Sequence, residues 1–412
     1  MESKTKWLGH MRLILRPPSS SAADSGIVKP QPYVDVGMSM YRPLQGGMDM
    51  KGAVLYGAHQ PLVIEELHLL PPQAGEVRVR FGASGVCHSD LHYIKGDRMC
   101  PMPVVLGHEG AGVVEEVGPG VTYVKPGDHV ILSLVPACGR CADCVAGRPN
   151  LCEVRYTLNG NLPNGTTRLR KGDQEIKHFA AVSSFAEYGV VPEGSLVRID
   201  PDMPLGQAAL IGCCVTTGVG AALWTAKVQP GTSVVVIGCG GVGLNIIQGA
   251  ALAGAERIIA VDTIPSKLEY AEVFGATHRV NASEVDPVLA VRDLTKGRGA
   301  DYAFEAIGLT ETSVQALQCT RRGGKAIIVG VIRHGAQLTI DPDFLHQDRQ
   351  LLGCTYGSAN MRAGMPQLVD LYRAKKLKLD ELVSRTYRLE EINTAFAALE
   401  HGEVARSIIA YQ

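Results

Sequence analysis

From Thr232 onward the chain alternates short β-branched runs with helical segments, and a glycine-rich turn marks the first junction. Ser233 to Ile237 has the length and apolarity of a buried strand. Gly238-x-Gly240-x-x-Gly243 follows directly, and Leu244 to Ala253 carries a helical pattern. Further strands are predicted over Arg257 to Val261, Tyr302 to Ala306 and Lys325 to Val331, with a helix over Ser266 to Phe274. Repeated βα units fold as a parallel, doubly wound sheet, because parallel neighbours need a crossover and the crossover helices cover both faces. The glycines permit a tight turn and let backbone N–H groups approach a pyrophosphate at the helix N-terminus. Asp262 ends the second strand, 19 residues past Gly243. A carboxylate there accepts hydrogen bonds from a ribose and repels a 2′-phosphate, which favours NAD over NADP. A βαβ unit without a nucleotide is the competing reading, and the complete strand, turn, helix and acid context weighs against it.

Between Lys51 and about Gly212 the pattern differs. Short apolar runs at Ala53-Val54-Leu55, Val77-Arg78-Val79, Gly112-Val113-Val114 and His129-Val130-Ile131, separated by turn residues, predict an all-β, loop-rich domain. After about Leu352 two amphipathic helices are expected, over Pro366 to Lys376 and Leu389 to Leu399. Residues 1 to 48 hold several prolines and a Ser19-Ser20-Ser21 run with no sustained periodicity, and read as a flexible extension. A targeting peptide around Trp7 to Arg16 and a working start at Met48 or Met50 stay open beside that reading.

Charge excludes some partners. With 40 basic and 41 acidic residues the net charge is −1, so no basic footprint for nucleic acid or anionic lipid is expected. Met203 to Ala226 and Val228 to Ala255 carry no charge, and each exceeds the about 20 residues that span a bilayer. Gly206, Gly212, Gly218, Gly220 and Pro230 interrupt them, and no basic flank or aromatic belt accompanies them. Buried strand and helix of an α/β sheet explain them better, and no membrane partner is expected.

The chain has eleven cysteines, an odd number, with four between Cys138 and Cys152. That distribution argues for metal binding in a reducing, cytoplasmic setting over a secreted disulfide framework. Cys138-x-x-Cys141-x-x-Cys144 followed by Cys152 can close a tetrahedral zinc site with no open position, against the alternative of free or bonded thiols. A dispersed set comprises Cys87 within Gly85-Val86-Cys87-His88-Ser89-Asp90, His108 within Gly107-His108-Glu109-Gly110, and Cys213 after Gly212. Two cysteines and a histidine are the donors of an open zinc site that leaves room for water or substrate. Spacing alone does not bring them together, and a simply buried Cys213 or a core His108 stays open residue by residue.

Taken together, these motifs resemble the zinc-dependent medium-chain alcohol dehydrogenases over about residues 50 to 412. The resemblance rests on GVCHSDLH at 85–92, GHEGAGVVEEVG at 107–118, CGRCADC at 138–144, GTTR at 165–168, LIGC at 210–213, GCGGVG at 238–243 and VARSII at 404–409. It implies an α/β fold: a GroES-like β-rich catalytic domain over 49–214, completed by 356–412, and a Rossmann NAD-binding domain over 215–355. It implies two Zn²⁺ per subunit, one catalytic on Cys87, His108 and Cys213 and one structural on Cys138, Cys141, Cys144 and Cys152. Asp90 is then the carboxylate that orients His108, Glu109 the acid behind the metal, and Ser89 and His92 the proton relay to solvent. Thr217 and Val331 lie around the nicotinamide, and Lys267 lies on the adenosine ribose. Gly238, Gly240, Gly241, Val242 and Gly243 form the turn, Asp262 holds the ribose, and His88 and Arg406 meet the pyrophosphate.

The implied reaction is hydride transfer between NAD and a small primary or secondary alcohol, with S-(hydroxymethyl)glutathione oxidation as the alternative. Ser89, Leu134 and His88 depart from residues many relatives carry. His92 is unlike the formaldehyde-oxidising class, that class's acidic pocket residue has no clear place near Asp97, and Arg155 matches its glutathione-binding arginine only loosely. A non-catalytic zinc-stapled nucleotide-binding protein and a zinc-independent quinone reductase both predict loss of metal ligands that this chain retains. A homodimer is expected through Lys325 to Val331 as the edge strand of the nucleotide sheet, with a tetramer also open.

Overall fold

A computed structural model describes residues 46–402 and 405–411. Residues 1–45, where most of the extension is expected, lie outside the described residues, and Met48 already begins the first strand.

Three sheets organise the described residues. Met48–Leu55, Val63–Leu69, Leu169–Lys171, Gln174–His178 and Val104–Val105 close into a small barrel. A second sheet runs in the order Leu196–Ile199, His129–Leu132, Gly110–Val117, Glu76–Val86, Arg406–Ala410 and Val383–Tyr387, with Tyr188–Pro192 paired onto Glu76–Val86. Strand Glu76–Val86 shows why the apolar runs are short. Val77, Val79 and Phe81 face the core, while Arg78 and Arg80 face outward to Glu116 and Glu115 on the neighbouring strand. Strand Arg406–Ala410 returns from the far end of the sequence and pairs Ser407 with Val86 and Ile408 with Gly85, which sets Arg406 beside the cysteine at 87.

Barrel and sheet are joined by a fully satisfied buried ion pair. Arg168 donates from Nε and Nη2 to both carboxylate oxygens of Glu76 at 2.7 and 2.8 Å, and from Nη1 to Thr166 and Thr167. This domain is not purely β. Helix His88–Ile94, the short helix Ala142–Val145 and two single turns interrupt it. Local capping overrides the β pattern at the first of these, because Cys87 Sγ accepts from Ser89 N and Asp90 lies in the first turn.

The third sheet is wholly parallel and ordered His278–Asn281, Arg257–Asp262, Ser233–Ile237, Ala300–Glu305, Thr320–Ile328, Gln350–Gly353. Its central strand is buried from Val234 to Ile237, as a strand with helices on both faces must be. The expectation for Lys325 to Val331 is corrected. The strand runs Thr320–Ile328, pairs on both sides, and is not an edge; the edge on that side is Gln350–Gly353, too short and half exposed to carry a strong apolar signal. Helix Met361–Arg373 begins five residues before the expected proline and keeps Pro366 inside it.

The two charge-free stretches are core. Leu205–Ala226 is a continuous and mostly buried helical run, and the second splits into strand Ser233–Ile237 and helix Gly241–Leu252. One apolar cluster extends from Ile131 and Leu210 through Val219 and Ile247 to Phe304, so the β-rich and nucleotide halves share a core.

Candidate active site

Three distant segments converge at the start of helix His88–Ile94. Cys87 caps that helix, His108 and Glu109 precede strand Gly110–Val117, and Cys213 sits in a π-helical turn, Ile211–Val215, within the long apolar run. The donor atoms of Cys87, His108, Glu109 and Cys213 all lie within 4.8 Å of one another, and all four residues are buried. Asp90 Oδ1 accepts from His108 Nδ1 at 3.1 Å and from Gly107 N at 3.0 Å. Nδ1 therefore carries the hydrogen, and Nε2 is left basic, buried and without a hydrogen-bond partner. A buried acceptor in that state calls for a ligand, and two sulfurs, an imidazole nitrogen and a carboxylate suit a zinc ion.

Electrostatics agree. The Cys213 thiol hydrogen-bonding to Cys87, with Arg406 and His108 close by, holds the Cys87 thiol well below its ordinary range. Burial alone would pull His108 down, but the charge and hydrogen bond of Asp90 drive it well above. Burial pushes Glu109 up to about 7, against the pull of Arg406. Arg406 pairs with Glu109 Oε2 while its stem packs on Gly241, where a Cβ would overlap it. One buried arginine thus touches both the donor cluster, through its guanidinium, and the glycine turn, through its stem.

The second cluster is local. Cys138, Cys141, Cys144 and Cys152 also lie within 4.8 Å of one another. Cys141 N points to Cys138 Sγ at 3.3 Å and Cys138 N to Cys152 Sγ at 3.4 Å. Gly139, at φ +72°, makes the reversal between the first two. Four sulfurs with backbone N–H support form a closed tetrahedral set that fits a structural zinc.

At the glycine turn, Gly238 holds φ +96°, and a Cβ on Gly243 would overlap the Gly238 carbonyl oxygen. Gly240 differs: a Cβ there meets nothing within 4 Å. Helix Gly241–Leu252 starts there without a side-chain cap, so its first N–H groups face open space, which fits a pyrophosphate. Val242 follows in its first turn. Asp262 accepts from Cys239 N, Thr263 N and Ile264 N at 2.8, 2.8 and 3.1 Å, which orders the end of its strand against the glycine turn. Thr217 is half-buried in helix Thr216–Gly220, His88 is exposed on helix His88–Ile94, and Lys267 reaches Gly402. Val331 lies beyond the end of strand Thr320–Ile328, its backbone packed against Gly308.

Two family models match this arrangement, an alcohol dehydrogenase GroES-like domain over residues 73–201 and a zinc-binding dehydrogenase over 241–374. The class-3 alcohol dehydrogenase of Dictyostelium discoideum is 43% identical over 368 residues, covering 87% of this chain and 97% of its own. The chain belongs to the zinc-dependent medium-chain alcohol dehydrogenase family. The S-(hydroxymethyl)glutathione dehydrogenase of Paracoccus denitrificans is 42% identical over 375 residues, covering 88% of this dehydrogenase and 100% of its own chain. Benzyl alcohol dehydrogenase of Acinetobacter calcoaceticus superposes with a TM-score of 0.85 at 35% identity, covering 89% and 100%.

This alcohol dehydrogenase has site neighbours that sequence reasoning missed. Phe179 stands edge-on to His108 at 5.7 Å between ring centroids and to Tyr93 at 4.8 Å. Tyr356 OH donates to Gly212 O and fixes the turn that carries Cys213. Gly85 must be glycine, because a Cβ there would overlap Glu109 Oε2. Of these, only Gly85 left a signal: a glycine inside a strand marks close approach of another group. Ser89 is half-buried, with its N–H on Cys87 Sγ at 3.5 Å, and His92 pairs with Asp97.

Proposed function

We propose that this enzyme interconverts a small primary or secondary alcohol and its aldehyde or ketone with NAD, at the cluster of Cys87, His108 and Cys213. The observation that carries this reading is the buried donor set with His108 Nε2 unpartnered, beside an open helix N-terminus. When bound, zinc supplies Lewis acidity that makes an alcohol proton labile near neutral pH, and NAD supplies the hydride acceptor.

Cys87, His108 and Cys213 hold the metal, and Asp90 keeps His108 in the ligating tautomer. Glu109 stands behind the three ligands, tethered by Arg406. Ser89 and His92, three residues apart on one helix face, pass the proton outward. The turn from Gly238 to Gly243, with Val242, binds the pyrophosphate together with His88 and Arg406. Asp262 and Lys267 hold the ribose, and Thr217 and Val331 border the nicotinamide. Cys138, Cys141, Cys144 and Cys152 staple their lobe and do no chemistry.

Oxidation of S-(hydroxymethyl)glutathione is the second reading, and the names of relatives at 42–43% identity support it as well as the first. Phe179 and Tyr93 beside His108 give the first reading its apolar wall. Eleven cysteines, six of them gathered in two donor clusters, support a cytoplasmic setting, and Gln350–Gly353 is the strand through which a homodimer would form. A panel of alcohols read by NADH absorbance, with and without glutathione and formaldehyde, decides between the substrates. Cys87→Ala should abolish oxidation and keep NADH binding; full activity in that variant refutes the assignment.

A further inference from the structure

His92 lies on the last turn of helix His88–Ile94. Its Nδ1 is 3.1 Å from Asp97 Oδ2, with the two side chains 28% and 39% exposed. An ionised carboxylate only accepts, so Nδ1 carries the hydrogen and Nε2 is the nitrogen left to take a proton. Asp97 is itself held on both sides. Gly96 N donates to Tyr93 O at 3.3 Å and Arg98 N to His92 O at 3.2 Å, which folds the segment back under the helix. The Arg98 guanidinium donates to Ile332 O at 3.2 Å, in the segment that follows Val331 in the nucleotide half. The hydrogen bond from His92, with Arg333 and Lys95 close by, holds the Asp97 carboxyl below its usual range. His88 also feels the charge of His92.

We propose that Asp97 is a positioning residue that fixes His92 in the Nδ1–H tautomer and so presents Nε2 to the proton arriving through Ser89. The inference rests on the relay reading of Ser89 and His92. Because the clamp continues through Arg98 to Ile332, the geometry of the relay is tied to the half of the enzyme that binds the coenzyme. Asp97 is half exposed and its pairing adds little to stability, so Asp97→Ala should fold normally.

The test uses the zinc- and NAD-loaded enzyme labelled with ¹⁵N-histidine, in which two-bond ¹H–¹⁵N spectra read the tautomer of each of the 12 histidines. His92→Gln identifies the resonance. In the wild type His92 should be Nδ1–H; in Asp97→Ala it should shift toward Nε2–H, and Asp97→Glu should restore it. Alcohol oxidation at pH 7 should fall about three- to tenfold in Asp97→Ala, the loss of one charge-assisted hydrogen bond, and recover in Asp97→Glu. A wild-type His92 in the Nε2–H form, or a tautomer unchanged by Asp97→Ala, overturns the positioning role alone. Unchanged rates and pH profile in His92→Gln overturn the relay reading and the proposal with it, even where the tautomer has shifted.

Discussion

Gly240 offers a substitution that separates coenzyme binding from folding. It is the N-cap of helix Gly241–Leu252, with φ −80° and ψ −172°, extended backbone that any residue adopts. A Cβ added there meets no atom within 4 Å. In Gly240→Ala, the smaller unfolded ensemble favours the fold by about 0.4–1 kcal/mol, and the lost N-cap preference of glycine over alanine, about 0.5–1 kcal/mol, offsets most of that. The melting temperature should therefore stay within about 2 °C of wild type. The same methyl group occupies the space above the unpaired N–H groups, where a pyrophosphate would lie. Forcing a ligand against one extra methyl costs about 1–3 kcal/mol, which weakens the Kd for NADH by about 5- to 150-fold. Gly243→Ala is the contrasting case. Its Cβ overlaps the Gly238 carbonyl oxygen, so the turn must open and stability should fall together with affinity. Titration of NADH fluorescence beside thermal melting reads both quantities. A wild-type Kd in a normally folded Gly240→Ala enzyme would refute the view that backbone N–H groups at this helix cradle the coenzyme.

Two further perturbations address the metal cluster and the barrel. In Gly85→Ala the new methyl group displaces the Glu109 carboxylate from Arg406; opening a buried ion pair costs about 3–5 kcal/mol. Metal analysis should then find one zinc per subunit retained in the four-cysteine lobe and the other weakened, and two tightly held zinc ions with an unshifted melting curve would contradict this. His178, buried in strand Gln174–His178 beside Arg168 and Lys177, has its pKa pushed down to about 3 chiefly by burial. It stays neutral in the fold while the unfolded chain takes up a proton near pH 6.5, so its stability contribution is complete above that pH and is lost as pH falls toward 3. Between pH 7.5 and 5.5 the loss is about 1.4 kcal/mol. His178→Asn keeps an acceptor for Arg168 N and should lose about 2 °C less in melting temperature over that interval. Equal acid sensitivity in variant and wild type would sink that reasoning.

What could be read before the structure follows from how local the determining interactions are. The strand over Ser233 to Ile237 and the turn after it are specified within a dozen residues, and the strand is bounded as expected. Cys138 to Cys152 is equally local, because the four sulfurs need only the turn at Gly139 and the short helix Ala142–Val145 to meet. Cys87, His108 and Cys213 are a different case: a helix cap, a strand entry and a π-helical turn must dock before the set exists, and only the family resemblance pointed there. Strands His278–Asn281 and Gln350–Gly353 and helices Pro287–Leu294 and Thr310–Cys319 escaped notice. Each is short or half exposed, so its hydrophobic pattern is diluted where the sheet meets solvent.

Arg406 shows the limit most sharply. By resemblance it belongs to the pyrophosphate, yet the strand that carries it pairs with Val86 and Gly85, and its guanidinium ends on Glu109. A single long-range strand pairing therefore decides that the guanidinium on Glu109 and the stem packed on Gly241 belong to one residue. No window of neighbouring residues contains that information, because the two groups it joins, Glu109 and Gly241, are themselves far apart in the chain. The glycine turn and the donor cluster are therefore in contact through one buried arginine, its stem on Gly241 and its guanidinium on Glu109, an adjacency that arises from the topology of the sheet.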